Sequence, residues 1–284
     1  MLAALLTAPF QLARLAWVAG RNRYRGPERR EVFRVLAALW LKTRVVRPRG
    51  QVCRQRLFGF EVEASSYELL LKLFKEIFLA EPYAFVPATA APLIIDGGAN
   101  IGMAIVYFKK HFPEARILAF EPSPEAFRLL ARNVAANHLR GVELHNVALA
   151  ATAGELPFYP EADGASLTGS LLPQATGVPP VRVPARRLAD YLPAAAPVEL
   201  LKLDVEGAEA SILADLDHTG LLPRFRQVIV EFHYRIGSAE SGELAACLQA
   251  LTRQGFAWYF KQVYPRTAHG QDMVVQAWQP RPPQ

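Results

Sequence analysis

A chain of 284 residues, 51% hydrophobic with a formal charge of +6, is long enough for one large α/β domain plus an extension and short for two full domains. Its ordinary composition, without a low-complexity tract, excludes a disordered or fibrous chain. Two cysteines, Cys53 and Cys247, argue against a disulfide framework, no Cys/His cluster has zinc-site spacing, and the pair fits a reducing, cytoplasmic setting.

The apolar run at the start lacks preceding basic residues and is interrupted by Arg14, so it is too short for a membrane span and has no clear signal-peptide cleavage site. Drawn as a helix, it sets Thr7, Gln11 and Arg14 in a polar stripe, with Leu5, Leu6, Leu12, Leu15, Trp17 and Val18 over much of the rest. A second helix is expected over 30–43, with Val32, Phe33, Leu36, Leu39 and Trp40 against Arg30, Arg34 and Lys42. Residues 1–56 hold thirteen lysines and arginines against Glu28 and Glu31, a balance of +11; the remainder holds nineteen against twenty-four acids, a balance of −5. A basic arm on a mildly acidic body points to an anionic partner, membrane or nucleic acid. The body has no basic stripe, so nucleic acid is not expected. That leaves peripheral membrane contact through residues 1–50, or a helical cap packed on the body or on a second subunit. The chain thus divides into a basic amphipathic helical extension, 1–56, and a main domain, 57–284.

Segment 57–62 reads as a short strand, and 66–80 repeats Leu69, Leu70, Leu73, Phe74, Ile77 and Phe78 at helical spacing. From residue 93, strands expected at 93–96, 116–120, 142–147, 199–204 and 227–232 alternate with helices at about 101–111, 124–137, 208–215 and 241–254. Such alternation implies a parallel sheet covered on both faces. Trp258–Val263 and Met273–Trp278 read as a closing hairpin, and the Pro/Gly-rich insertion 151–184 holds two candidate edge strands, Glu155–Tyr159 and Val181–Val183.

The chemistry gathers where strands meet the turns that follow. Leu93 to Asp96 runs into Gly97, Gly98, Asn100 and Gly102, and a helix follows at once. Glycines there permit positive φ and a close approach of backbone to ligand. The spacing departs from the G-x-G-x-x-G of a dinucleotide site and matches the D-x-G-x-N-x-G of methyltransferases. Asp96 suits the amino group and sulfonium of S-adenosylmethionine, whereas it would repel a pyrophosphate. Glu121 ends the next strand and can accept both ribose hydroxyls of an adenosyl ligand. The third strand should bring its end, at Ala148, beside the adenine. His145 alone reads as a packed or exposed histidine.

A second block, Lys202-Leu203-Asp204-Val205-Glu206-Gly207-Ala208-Glu209, must lie beside the first strand. Asp204 and Glu206 can reach the pocket, while Glu209 caps or pairs along the following helix. Glu231 and His233 lie two apart on the fifth strand and point to one side. His233, as a neutral imidazole, is the first choice of general base, with Asp204 or Glu231 orienting it or the hydroxyl. A divalent metal on Asp204, Glu231 and His233 is an alternative that is not favoured.

Taken together, IIDGGANIG, FEPSPEAF, NVALA, RRLADYL, LLKLDVEGAE and VIVEFH resemble the FkbM family of methyltransferases over about residues 57–260. The resemblance implies a Rossmann-like class I methyltransferase fold, with a seven-stranded, mostly parallel sheet behind the N-terminal extension. It implies O-methylation of a hydroxyl on a sugar, glycolipid or secondary metabolite, a small-molecule or glycan- or lipid-linked acceptor. It assigns Asp96, Gly98, Asn100 and Glu121 to the cofactor and Asp204, Glu206, Glu231 and His233 to the reacting end. The segment from Leu73 to Phe78, with Tyr83, resembles one that precedes the glycine loop in that family, and it is expected to close over the cofactor. A nicotinamide-dependent oxidoreductase and a non-catalytic membrane-associated protein on the same fold are the rival readings.

Overall fold

Every residue of Leu93–Gly97 and Val198–Leu203 is buried, the mark of strands covered on both faces. Alternate side chains feed two cores. Ile94, Leu200 and Ile229 enter one, while Ile95, Leu201, Val228 and Val230 enter the other.

The computed structural model describes residues 17, 20, 24–45, 52–160, 169–171, 178–194, 196–235, 243–264 and 270–280. In chain order the elements begin with α1 (Gly26–Val45), β1 (Cys53–Leu57), β2 (Phe60–Ala64) and α2 (Tyr67–Leu73), which continues as a π-helical turn over Phe74–Leu79. Next come β3 (Leu93–Gly97), α3 (Met103–His111), β4 (Arg116–Phe120), α4 (Pro124–Ala136) and β5 (Val142–His145). The insertion supplies β6 (Ala148–Leu149), β7 (Gly154–Pro160), β8 (Gly169–Ser170) and β9 (Val181–Arg186). The chain closes with β10 (Val198–Leu203), α5 (Glu209–His218), β11 (Phe225–Arg235), α6 (Glu243–Arg253), β12 (Ala257–Val263) and β13 (Gly270–Trp278).

The main sheet has seven strands in the order β12-β13-β11-β10-β3-β4-β5. β13 is antiparallel to both neighbours and the other pairs are parallel. From β3 the chain spreads to one edge through β4 and β5, then returns to lay β10 and β11 on the other side. β3 and β10 therefore flank the topological switch point, where open α/β sheets bind ligands. Their register sets Asp96 beside Lys202 and Gly97 beside Leu203. A four-stranded sheet, β6-β9-β7-β8, stands against the carboxyl end of β10. There the Leu171 amide and the Ser170 hydroxyl both donate to Glu206 O.

Some elements differ from expectation. The strand expected at 57–62 is the turn and return arm of the β1–β2 hairpin, reversed at Phe58 and Gly59, both with positive φ. An unbroken apolar run hid that turn. The strand expected at 142–147 leaves the main sheet at His145, because the Asn146 side chain donates to Glu121 O and Pro122 O. Ala148 and Leu149 then pair with β9 instead. Both edge strands of the insertion exist and are longer than expected.

Helix α1 covers the body. Val32, Val35, Leu36 and Leu39 are fully buried in one core with Leu70, Phe74 and Phe78. Burial of such side chains contributes roughly 1.5–3 kcal/mol each, so this apolar face is already spent on the protein's own core. The first expected helix lies outside the described residues, apart from an exposed Trp17 and Gly20. Among the described residues no helix is long and apolar enough to cross a membrane.

Candidate active site

The glycine loop is folded against the end of β10. A Cβ added at Gly98 would lie 1.7 Å from the Asp204 carbonyl oxygen, and φ there is +78°. Gly102 (φ +88°) starts α3, and a Cβ there would meet Leu130 at 2.8 Å. The amides of Gly98 and Ala99 donate to Phe120 O, Asn100 N to Glu121 Oε2, Ile101 N to Asn100 Oδ1, and Gly102 N to Ala99 O. All five amides are thus used inside the protein. A pyrophosphate cradle, which needs free N–H groups, is not what this loop offers.

The loop borders a cavity of about 630 Å³ at the carboxyl ends of the strands. Gly98, Asn100, Glu121 and Ala148 line it, whereas Gly97 and Gly102 lie behind and shape the turn. Among the described residues, six carboxylates face it, from Glu76, Glu121, Asp204, Glu206, Glu231 and Asp272, against the cations Lys72, Lys202 and His233. Glu121 accepts from the Asn100 and Ser123 amides at 2.8 Å each. Burial still pushes its carboxyl up to about 7.

Asp96 corrects the electrostatic expectation. It is fully buried, outside the cavity lining, with Oδ1 2.8 Å from Lys202 Nζ. The residue expected to face a sulfonium instead neutralises a lysine on the adjacent strand, because register puts the two side by side. Lys202 also donates to Gly98 O at 2.8 Å, tying the loop to β10. Burial opposes the ammonium, but Asp96 and Asp204 outweigh it and the pKa is raised.

Asp204, Glu206, Glu231 and His233 do come together at the other end of the cavity. Tyr83 Oη donates to Asp204 Oδ2 at 3.0 Å and lies 3.3 Å from Glu231 Oε2. A phenol has one proton, so Glu231 completes this chain best in its acid form, donating to the phenol oxygen. Burial and the Asp204 charge indeed push Glu231 up to about 8. His233 Nδ1 is 3.1 Å from Glu209 Oε1, and Nε2 is 3.6 Å from Glu206 and 3.8 Å from Asp204. Burial disfavours the imidazolium, but Glu206, Glu209 and Asp204 together hold His233 well above its ordinary value. The neutral imidazole expected here is therefore an imidazolium at neutral pH. Burial raises Glu206 to about 7 despite the opposing His233 charge.

The family model for the methyltransferase FkbM domain matches residues 96–257, from the end of β3 to the start of β12. The chain belongs to the FkbM family of methyltransferases. Methyltransferase sdnD of Sordaria araneosa is 34% identical over 212 residues, covering 60% of this chain and 80% of that protein. The 31-O-demethyl-FK506 methyltransferase FkbM of Streptomyces tacrolimicus is 29% identical over 209 residues (62% and 79%). The 2-O-methyltransferase NoeI of Sinorhizobium fredii is 29% identical over 150 residues (47% and 61%). This FkbM-family chain thus has the Rossmann-like class I fold of S-adenosylmethionine-dependent methyltransferases. An acidic cavity bordered by the glycine loop fits that cationic cofactor.

Around this FkbM-family site stand residues whose roles the sequence pattern did not announce. Lys202 and Glu209 are buried polar partners rather than solvated ones. Tyr264, Gln271 and Asp272 reach the cavity from the closing hairpin. The hairpin topology held the signal, since an antiparallel β13 must begin beside the end of β11, and His233 pairs with Asp272. Among the described residues, Asp204, Glu206 and His233 offer ligand-type atoms within 4.8 Å of one another. Glu231, a member of the alternative, unfavoured metal set, is engaged with Tyr83 instead.

Proposed function

We propose that this chain transfers a methyl group to a hydroxyl oxygen of a neutral, hydroxyl-rich acceptor, such as a sugar, a glycolipid or a secondary metabolite. The observation that carries the reading is the pairing of Glu206 with a charged His233 at 3.6 Å on the cavity wall. The relatives from Streptomyces and Sinorhizobium bear names describing O-methylation, which favours the same acceptor atom here. S-adenosylmethionine, when bound, supplies a methyl already activated on sulfur.

The chain's own task is then to hold the acceptor in line and take its proton. Glu206 is the proposed base. Its raised pKa, near 7, suits proton transfer close to neutrality. The His233 imidazolium supports the oxygen as it loses its proton. Asp204, held by Tyr83, orients the hydroxyl by accepting a hydrogen bond. Glu121 is the proposed partner of the ribose hydroxyls, with Gly98, Asn100 and Ala148 forming the wall around the adenosyl group.

Carboxylates at the acceptor end accept hydroxyl protons readily and repel anions, so phosphorylated or carboxylated acceptors are disfavoured. The test is mass spectrometry of neutral glycosides, their uronic-acid counterparts and lipid extracts incubated with enzyme and cofactor. Methyl gain on the neutral members supports the reading, and gain confined to the acids removes it. Glu206→Gln is expected to lower kcat roughly 10²–10⁴-fold while S-adenosylmethionine binding, read by calorimetry, persists. An unchanged kcat would remove Glu206 as the base.

A further inference from the structure

Glu209 does not line the cavity, yet its carboxylate grips what does. It is the first residue of α5 and only 3% exposed. A carboxylate cut off from water needs several hydrogen-bond partners. Oε2 accepts from Gly207 N at 3.0 Å, and Oε1 accepts from Val205 N and contacts His233 Nδ1, both at 3.1 Å. An ordinary helix-start acid lies in solvent against the helix dipole. This one reaches across to β11, twenty-four positions along the chain.

We propose that Glu209 is the positioning residue of the acceptor end, acting through His233. Its two amide bonds fix the turn between Asp204 and Ala208, and its third bond fixes the imidazole ring. With Nδ1 held, Nε2 has one direction left, toward Asp204 Oδ1 at 3.8 Å and Glu206 Oε2 at 3.6 Å. Both separations are too long for a direct hydrogen bond. An acceptor oxygen seated beside this pair, not between its members, lies within hydrogen-bond reach of both the imidazolium N–H and the Glu206 carboxylate. Without Glu209 the ring is free to turn Nδ1 toward those acids, and that arrangement is lost. The same loop carries Glu206 O, the acceptor of the Ser170 and Leu171 contacts. One buried carboxylate therefore sets His233, the base and the edge of the insertion together.

The proposal rests on the acceptor-end reading above. It is tested by steady-state kinetics of Glu209→Gln, His233→Gln, Glu206→Gln and the Glu209→Gln/His233→Gln pair. For Glu209→Gln, kcat is expected to fall roughly tenfold to a hundredfold, with KM for S-adenosylmethionine within about twofold of the parent. The double variant is expected to lose no more than the more impaired single, because both act on one ring. Unchanged kcat in Glu209→Gln, or losses that multiply in the double variant, overturns the proposal and leaves the acceptor-end reading standing. Full turnover in both His233→Gln and Glu206→Gln would remove that reading as well. If Glu209→Gln does not fold, nitrogen-15 histidine spectra of the intact enzyme decide instead. A hydrogen-bonded Nδ1 proton protected from solvent exchange at His233 is expected, and a freely exchanging one overturns the proposal.

Discussion

Gly98 and Lys202 act on the same few ångströms of backbone from opposite directions. The loop passes so close to the end of β10 that a methyl group at Gly98 would overlap the Asp204 carbonyl. That carbonyl is backbone, so no side-chain rotation relieves the clash. Gly98→Ala is expected to cost more than 3 kcal/mol, on the order of the largest single-site losses, and to abolish cofactor binding, as read by urea denaturation and calorimetry. Lys202 then fastens the loop through Gly98 O and balances Asp96. Lys202→Met would leave a fully buried Asp96 without a counter-charge, a loss of about 3–5 kcal/mol. Residue types and strand-end positions located the Gly98, Glu121, Asp204 and His233 cluster, because period and glycine spacing are local properties. The charge of His233 and the ion pair of Asp96 depend on carboxylates and a lysine brought in by other strands, and no local pattern carries that field.

Between elements, the main sheet was legible for a similar reason. Strands buried on both faces leave continuous apolar runs, and the helices that cover them keep a 3.6-residue period. The hairpin β1–β2 was not legible, since Leu57-Phe58-Gly59-Phe60 reads as one apolar stretch until Phe58 and Gly59 take positive φ. What binds that hairpin to the body is a polar device on α4. Asn133, 1% exposed, donates to Glu63 O and Ile101 O and accepts from Glu63 N. It thereby joins β2 to the residue after Asn100 in the glycine loop. Asn133→Ala would strand three buried backbone groups, and a loss of roughly 2–3 kcal/mol is expected. The same variant should loosen the loop, so hydrogen exchange of the Gly98–Gly102 amides is expected to quicken. Unchanged exchange there would mean that the loop does not depend on the hairpin.

At the scale of the whole molecule, charge dominates. Burial raises Glu121 and Glu206 to about 7 and Glu231 to about 8, and the carboxylates around His233 raise it well above its usual value. All four groups hold protons in the folded protein at pH values where the unfolded chain has released them. Stability therefore falls as pH rises from about 4.5, and the fall runs through 8. A cationic ligand in the cavity offsets the repulsion that remains when the carboxylates ionise. Differential scanning fluorimetry of the ligand-free protein should show Tm declining between pH 6 and pH 8.5, by on the order of 2–4 °C for each kcal/mol lost. The increment given by saturating S-adenosylmethionine should be larger at the higher pH. A Tm that rises with pH would mean that the cavity carboxylates are not the dominant buried charges. The opposite charge sits at the other end of the chain, where residues 1–56 hold a balance of +11. Because α1 spends its apolar face on the core, membrane contact by the arm would fall to residues 1–23, with help from exposed basic residues of α1 such as Arg29 and Arg30. We propose that this arm brings the enzyme to anionic lipid, at about 1 kcal/mol for each basic residue near the surface. Removing residues 1–23 takes away Arg14, Arg21 and Arg23 together with the apolar run. Binding to vesicles containing phosphatidylserine is expected to fall at least tenfold in a sedimentation assay, with methylation of a water-soluble acceptor unchanged. Equal binding by the full and shortened chains would remove the membrane assignment and leave the arm to a protein partner.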